Sequence, residues 1–217
     1  MQFSYALFDM DGTMVDSMGY WGEVCGEYLR LVGVYSEEIF DILKPMTLPQ
    51  TAEYLRTEFG ISVSPDEIET HMCRIMRVHY ERDVTAKKGI YAFLNALKKK
   101  GVRMCVVSST PEDLIRECLQ RLGLSDYFEF LLSAEEVGKG KTEPDIYFEA
   151  AKRLNADPQS TMVFEDAMTA GLTAKKAGFL TAAVFDENSA EEWDAFRVQT
   201  DVAFHDWDEA LRIYTEK

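Results

Sequence analysis

Five short apolar runs constrain this chain more than any other feature: Ser4 to Phe8, Arg103 to Val107, Phe130 to Leu132, Thr161 to Phe164 and Thr181 to Phe185. They are rich in Val, Phe and Tyr, and they alternate with stretches of helical periodicity. Alternation of strands with helices predicts a parallel sheet, because parallel neighbours need a crossover long enough to hold a helix. The predicted class is therefore α/β, a Rossmann-like parallel sheet with helices on both faces. The helices carry the expected punctuation. Gly89 to Lys100 ends in three lysines before Gly101, where cations favour a helix C-terminus. Thr110-Pro111-Glu112-Asp113 offers an N-cap, a first-turn proline and early acids, and Pro144-Asp145 opens a helix that closes at Arg153-Leu154.

The segment from Met18 to Asp83 carries no strand signal. Trp21, Val24, Cys25, Tyr28, Leu29 and Val32 recur at helical spacing, as do Ile68, Met72, Ile75, Met76 and His79 behind the capping box Ser64-Pro65-Asp66-Glu67. We therefore expect an all-helical insertion at 17–83, whose Met and aromatic stripes form its own core, in a domain built from 1–16 and 84–217.

With 23 Lys and Arg against 38 Asp and Glu, the 217 residues carry a formal charge of −15. Such a surface repels phosphate backbones and anionic lipid, so neither nucleic acid nor membrane is an expected partner. The opening Met1-Gln2-Phe3-Ser4 meets Asp9 and Asp11 without a basic or long apolar run, and the expectation is a cytoplasmic monomer. The four scattered cysteines, Cys25, Cys73, Cys105 and Cys118, form no C-x-x-C pair and are expected to be buried thiols.

The chemistry gathers where strands end, since ligands of open α/β sheets bind beyond the carboxyl ends of the strands. Asp9 and Asp11 follow the first run, and two residues apart on an extended chain they face one site, with Gly12 free to turn. Glu165-Asp166 follows the run Thr161 to Phe164. Four carboxylates so close disfavour one another's ionisation unless a cation intervenes. A hard, oxygen-seeking ion such as Mg²⁺ suits them, commonly shared with a substrate phosphate. Ser108-Ser109-Thr110 stands before the helix opened by Pro111, where hydroxyls and backbone N–H groups cradle anions, although Ser and Thr also cap helices without any ligand. Lys139 or Lys141, in a Gly-punctuated loop, supplies a counter-charge.

In this order the elements resemble the haloacid dehalogenase superfamily, in the branch with a helical cap that includes β-phosphoglucomutase and many small-molecule phosphatases. The resemblance rests on Phe8-Asp9-Met10-Asp11-Gly12-Thr13-Met14-Val15-Asp16-Ser17, on Lys141-Thr142-Glu143-Pro144-Asp145-Ile146-Tyr147 and on Val163-Phe164-Glu165-Asp166-Ala167, and it spans Phe3 to about Asp186. It implies Asp9 as nucleophile, Asp11 as general acid and base, Ser108 with Ser109 and Lys141 as phosphate binders, and a Mg²⁺ site of Asp9, Asp11 (through its carbonyl), Glu165 and Asp166. The family often has Pro where Thr142 stands. The implied activity is hydrolysis of a small phosphorylated metabolite through an aspartyl-phosphate. The mutases of this branch carry a histidine where Trp21 falls, and an indole shuttles no proton, which favours a phosphatase. A dehalogenase needs neither Asp11 nor Glu165-Asp166, and a phosphonatase needs an insertion lysine, for which only Lys44 is available. A binding protein on a retired scaffold would have lost one of these residues. Specificity falls to the cap, where Met14, Met18, Trp21, Met46 and Gln50 either face substrate or fill the core.

Overall fold

Tyr5-Ala6-Leu7-Phe8 forms a strand whose last three residues are buried, as expected for a strand covered on both faces. The computed structural model describes residues 3–43, 46 and 48–215, so Lys44 lies outside the described residues. In chain order the elements are β1 (Tyr5–Phe8), β2 (Val15–Asp16), α1 (Met18–Leu31), α2 (Glu37–Leu43), α3 (Leu48–Phe59), α4 (Pro65–Arg82), β3 (Thr85–Ala86), α5 (Ile90–Lys99), β4 (Arg103–Ser108), α6 (Glu112–Arg121) and β5 (Leu131–Ser133). They continue with α7 (Ala134–Val137), α8 (Asp145–Leu154), β6 (Thr161–Glu165), α9 (Met168–Lys176), β7 (Leu180–Val184), α10 (Trp193–Arg197), β8 (Val202–Phe204) and α11 (Trp207–Thr215). Two compact units result, one joining Met1–Asp16 to Thr85–Lys217 and the other formed by Ser17–Val84.

In the first unit six strands pair in the order β5-β4-β1-β6-β7-β8, every pair parallel. The fold class is thus the α/β sheet expected. Strand order reverses at β1, which lies between β4 and β6, and this switch point is where an open sheet forms its ligand crevice. The register puts Phe8 opposite both Val106 and Phe164, so Asp9, Ser108 and Glu165 emerge at one edge. Side chains alternate between two faces. Leu7, Cys105, Val107 and Val163 pack with Ile146, Tyr147, Ala150 and Leu154 of α8. On an aromatic face, Phe8 stacks on Phe164 at 4.5 Å, and Trp207 and Phe93 close against both.

Three features depart from the sequence reading. β8 is too short and too polar at its flanks to register as a strand, and it joins the sheet through β7. β2 and β3, two residues each, form an antiparallel ribbon. Thr110 does not cap α6: Pro111 is extended at φ −52 and ψ 140, and the helix begins at Glu112.

The second unit contains only helices among its described residues. Its α4 starts with the expected capping box, in which Ser64 and Glu67 satisfy each other's backbone N–H. Val24, Tyr28 and Leu29 of α1 and Ile68, Met72, Met76 and Tyr80 of α4 are buried, so those stripes are core. His79 is a correction to the apolar-stripe reading. Its ring is half-buried, stacks on Tyr20 and lies with Nδ1 2.9 Å from Asp83, one helical turn on. Met18, Trp21 and Met46 are half-buried and Gln50 is exposed, whereas Met14 belongs to the buried core of the first unit. Cys105 and Cys118 are buried; Cys25 and Cys73 are half-buried, and all four are free thiols. No helix among the described residues is long and apolar enough to cross a membrane.

Candidate active site

Asp9 follows the last residue of β1, with its N–H donating to the Phe164 carbonyl at 3.0 Å. The chain then turns sharply. Gly12 takes φ +77, a left-handed value that strains residues with a Cβ, and the Met10 carbonyl accepts from the Met14 and Val15 N–H groups. The loop is fixed from outside as well: the Trp207 indole N–H donates to the Thr13 carbonyl at 3.1 Å, and the Thr13 hydroxyl donates to Asp166 Oδ1 at 3.2 Å.

Lys141 reaches into this edge from the loop between α7 and α8. Its Nζ lies 2.5 Å from Asp9 Oδ1 and 2.7 Å from Glu165 Oε1, with its side chain only 8% exposed. Lys139, by contrast, is exposed and pairs with Asp145 at 2.8 Å. Of the two candidate lysines, the structure brings Lys141 to the acids. Tyr147, on the first turn of α8, donates its hydroxyl to Glu165 Oε1 at 3.0 Å. Glu165 is therefore gripped from two sides, and Tyr147 is a site residue that the sequence reading left without a role.

Asp9, Glu165 and Asp166 each present a carboxylate oxygen within 4.8 Å of one another, all buried. Asp9 Oδ2 is buried without a hydrogen-bond partner. An orphaned carboxylate oxygen in a nest of acids fits a hard divalent cation, which takes oxygen ligands and supplies the missing positive charge. The carboxylate of Asp11 is not part of this cluster. β1 ends at Phe8, so the alternation that would point Asp9 and Asp11 the same way stops before it applies, and Asp11 Oδ2 accepts instead from the Thr110 hydroxyl at 2.7 Å. Three converging carboxylates, rather than four, form the acidic cluster.

Ser108 is buried at the end of β4, and its Oγ accepts from the Thr110 N–H at 3.1 Å. With a lone pair so used, its own O–H remains to be donated. Ser109 stands exposed beside it. An ion pair between a half-buried lysine and a buried acid borders the cluster: Lys87 Nζ lies 2.8 Å from Asp186 Oδ2 and donates to the Phe185 carbonyl at 2.9 Å.

The electrostatics follow from this crowding. Burial raises Glu165 to about 8, and the nearby Lys141 ammonium opposes that rise without cancelling it. Burial, then the charges of Asp9, Glu165 and Asp186, holds Asp166 well above the ordinary carboxylate range, with Lys87 opposing. Burial alone would lower Lys141, but the Asp9 and Glu165 carboxylates outweigh it and raise the ammonium above its usual value. Glu165 and Asp166 bind protons more tightly folded than unfolded, so stability declines as pH rises from the ordinary carboxylate range towards the folded values. In metal-free buffer the melting temperature should therefore fall between about pH 5 and pH 8, and Mg²⁺ should flatten that slope by favouring the ionised acids. A metal-free melting temperature that rises over this range would contradict the assigned shifts.

The chain is 28% identical over 191 residues to validoxylamine A 7'-phosphate phosphatase of Streptomyces hygroscopicus subsp. limoneus, covering 87% of this chain and 89% of that one. It is 31% identical over 180 residues to hexitol phosphatase A of Escherichia coli K12, covering 82% and 81%. Among solved structures, CbbY from Rhodobacter sphaeroides in complex with phosphate superposes with a TM-score of 0.83 over 96% of each chain at 20% identity, a likeness of fold. Residues 6–184, which include most of β1, the lysine loop and the acids Glu165 and Asp166 at the end of β6, match the haloacid dehalogenase-like hydrolase family, and the chain belongs to that family.

Proposed function

We propose that this phosphatase of the haloacid dehalogenase-like family transfers the phosphoryl group of a small phosphorylated sugar or similar metabolite first to Asp9 and then to water. The observation that carries this reading is the placement of Asp9, with one oxygen on Lys141 and the other unpartnered among buried acids. Mg²⁺, held by Asp9, Asp166 and the Asp11 carbonyl with Glu165 beside them, would neutralise the negative charge that carboxylate and phosphate share. A carboxylate oxygen of Asp9 attacks phosphorus, the ester P–O bond breaks, and an aspartyl-phosphate forms. Asp11 gives its proton to the departing alkoxide and then takes one from the attacking water, a role worth typically ~10²–10⁴-fold in rate. Lys141 and the Ser108 O–H hold the non-bridging oxygens as charge spreads over them. Glu165 and Tyr147 hold Lys141 in place. The helical insertion serves as a cap that excludes water, with its connections near 15–17 and 82–88 as hinges.

Hydrolysis is favoured over a mutase reaction by Trp21. Its indole N–H already donates to the Tyr80 hydroxyl at 3.2 Å, and it offers no second proton to exchange with a general acid. The names of the relatives, a hexitol phosphatase among them, support a polyol or sugar phosphate as substrate. Phosphate release across a panel of sugar and sugar-alcohol phosphates tests this. A parallel assay with β-glucose 1-phosphate, a trace of bisphosphate primer and glucose-6-phosphate dehydrogenase separates the alternatives. Steady NADPH formation without free phosphate would replace the phosphatase reading with a mutase one.

A further inference from the structure

Thr110 lies at the junction of β4 and α6, 5% exposed, and makes two bonds that serve different parts of the site. Its backbone N–H donates to Ser108 Oγ, and its hydroxyl donates to Asp11 Oδ2, a residue 99 positions away. A threonine just ahead of a helix normally turns its hydroxyl onto the helix's own N–H groups. Here Pro111 intervenes in an extended conformation, α6 begins without a side-chain cap at that position, and the hydroxyl is directed at Asp11 instead.

We propose that Thr110 is a positioning residue for the leaving-group proton, holding the Asp11 carboxyl and the Ser108 hydroxyl in one register. The proposal rests on the reading of Asp11 as general acid and base. An aspartate without such a partner samples several rotamers and carries its proton on either oxygen. With the Thr110 hydroxyl donating to Oδ2, the proton is carried on Oδ1. As the ester bond breaks, the O–H bond at Oδ1 breaks with it and the departing oxygen gains the proton. In the second half, a proton of the attacking water returns to Oδ1 as the water oxygen bonds to phosphorus and the bond between Asp9 and phosphorus breaks, which releases phosphate and restores the Asp9 carboxylate. The β-branched side chain suits this task, since its χ1 is restricted and the hydroxyl is held with little freedom to lose. The second bond orients Ser108: with its oxygen accepting from the Thr110 N–H, its O–H points away from the loop as a donor.

The leaving group provides the test. A nitrophenolate departs without a proton, whereas a sugar or polyol alkoxide needs one. We compare kcat/KM of Thr110→Val and Thr110→Ser for p-nitrophenyl phosphate and for the alkyl phosphate that the wild type turns over fastest. Misplacing a proton donor by about 1 Å can cost on the order of 10²-fold, so the valine variant should lose about 30-fold or more on the alkyl ester. It should lose less than about fivefold on the aryl ester, where acid catalysis is not needed. The serine variant, which keeps the donor, should restore the alkyl activity to within about threefold of wild type. A merely structural role would lower both esters together. Equal losses, no loss, or a serine variant as impaired as valine overturns the proposal while leaving the phosphatase reading intact. Should the valine variant fail to fold, Thr110→Ala set against Thr110→Ser gives the same comparison. A wild type that hydrolyses neither ester removes the reading of Asp11, and this proposal with it.

Discussion

Replacing Asp9 with Asn should lower phosphate release by at least about 10³-fold, since removing a nucleophile that acts together with its acid, cation and anion donors forfeits most of what the group achieves jointly. The amide is nearly the same size, so the buried edge should keep its packing and the variant should melt as one cooperative transition. Trapping with hydroxylamine distinguishes loss of the nucleophile from loss of binding. The wild type should acquire the label at Asp9 during turnover and the variant should acquire none. Removal of divalent metal with EDTA should abolish the same activity, and added Mg²⁺ should restore it, because the unpartnered Asp9 Oδ2 and the buried acids need a compensating cation. Turnover that survives both treatments would eliminate the aspartyl-phosphate route.

The second large effect belongs to Lys141. Its ammonium is raised above the ordinary lysine value and remains charged throughout the neutral range, in contact with Asp9 and Glu165. Substituting Met preserves the stem and deletes the charge, leaving the buried Asp9 and Glu165 without their cation and Glu165 with the Tyr147 hydroxyl as its donor. Breaking a buried pair from one side typically costs about 3–5 kcal/mol, so the metal-free variant should melt well below the wild type. Loss of one donor to the charge that develops on the transferring phosphoryl group is worth about 10²–10³-fold in kcat. Adding Mg²⁺ should recover part of the stability and little of the rate, since a cation at the acids does not replace a donor aimed at phosphate. A variant that matches wild-type kcat would show that Lys141 only neutralises its neighbours.

The backbone of this site was legible because its elements are long or strongly patterned. The near-continuous apolar runs that became β1, β4 and β6 identify buried parallel strands, and the acids at their ends identify the ligand edge. The capping box at Ser64 set the start of α4 from four consecutive residues. What escaped were contacts made by single side chains across the fold. Nothing near Thr110 in the sequence signals that its hydroxyl serves Asp11 rather than α6. Nothing near Lys87 points to Phe185, 98 positions on, or to Asp186. Tyr147 follows from the helix start at Asp145 only once β6 is known to present Glu165 beside it. The assignment of Lys141 over Lys139 came from family resemblance, because spacing within the loop leaves both in reach. β8, three residues between polar neighbours, is defined by its pairing with β7 and by little in its own composition.

The central place of β1 also dictates an order of assembly. The strand that ends at the nucleophile is made first, yet both of its neighbours, β4 and β6, begin at Arg103 and Thr161. During synthesis β1 must wait for roughly a hundred residues before its first partner exists, with Leu7 and Phe8 seeking burial throughout. Closing a loop of that length costs only logarithmically more than closing a short one, and prior folding of Ser17–Val84 shortens the effective loop further. The helical unit, rich in local contacts, has what it needs to fold early, while the sheet depends on distant pairings and folds slowly. Arrested chains that end before β4 would therefore hold a structured insertion and an unpartnered apolar first strand, a state open to aggregation and to capture by chaperones.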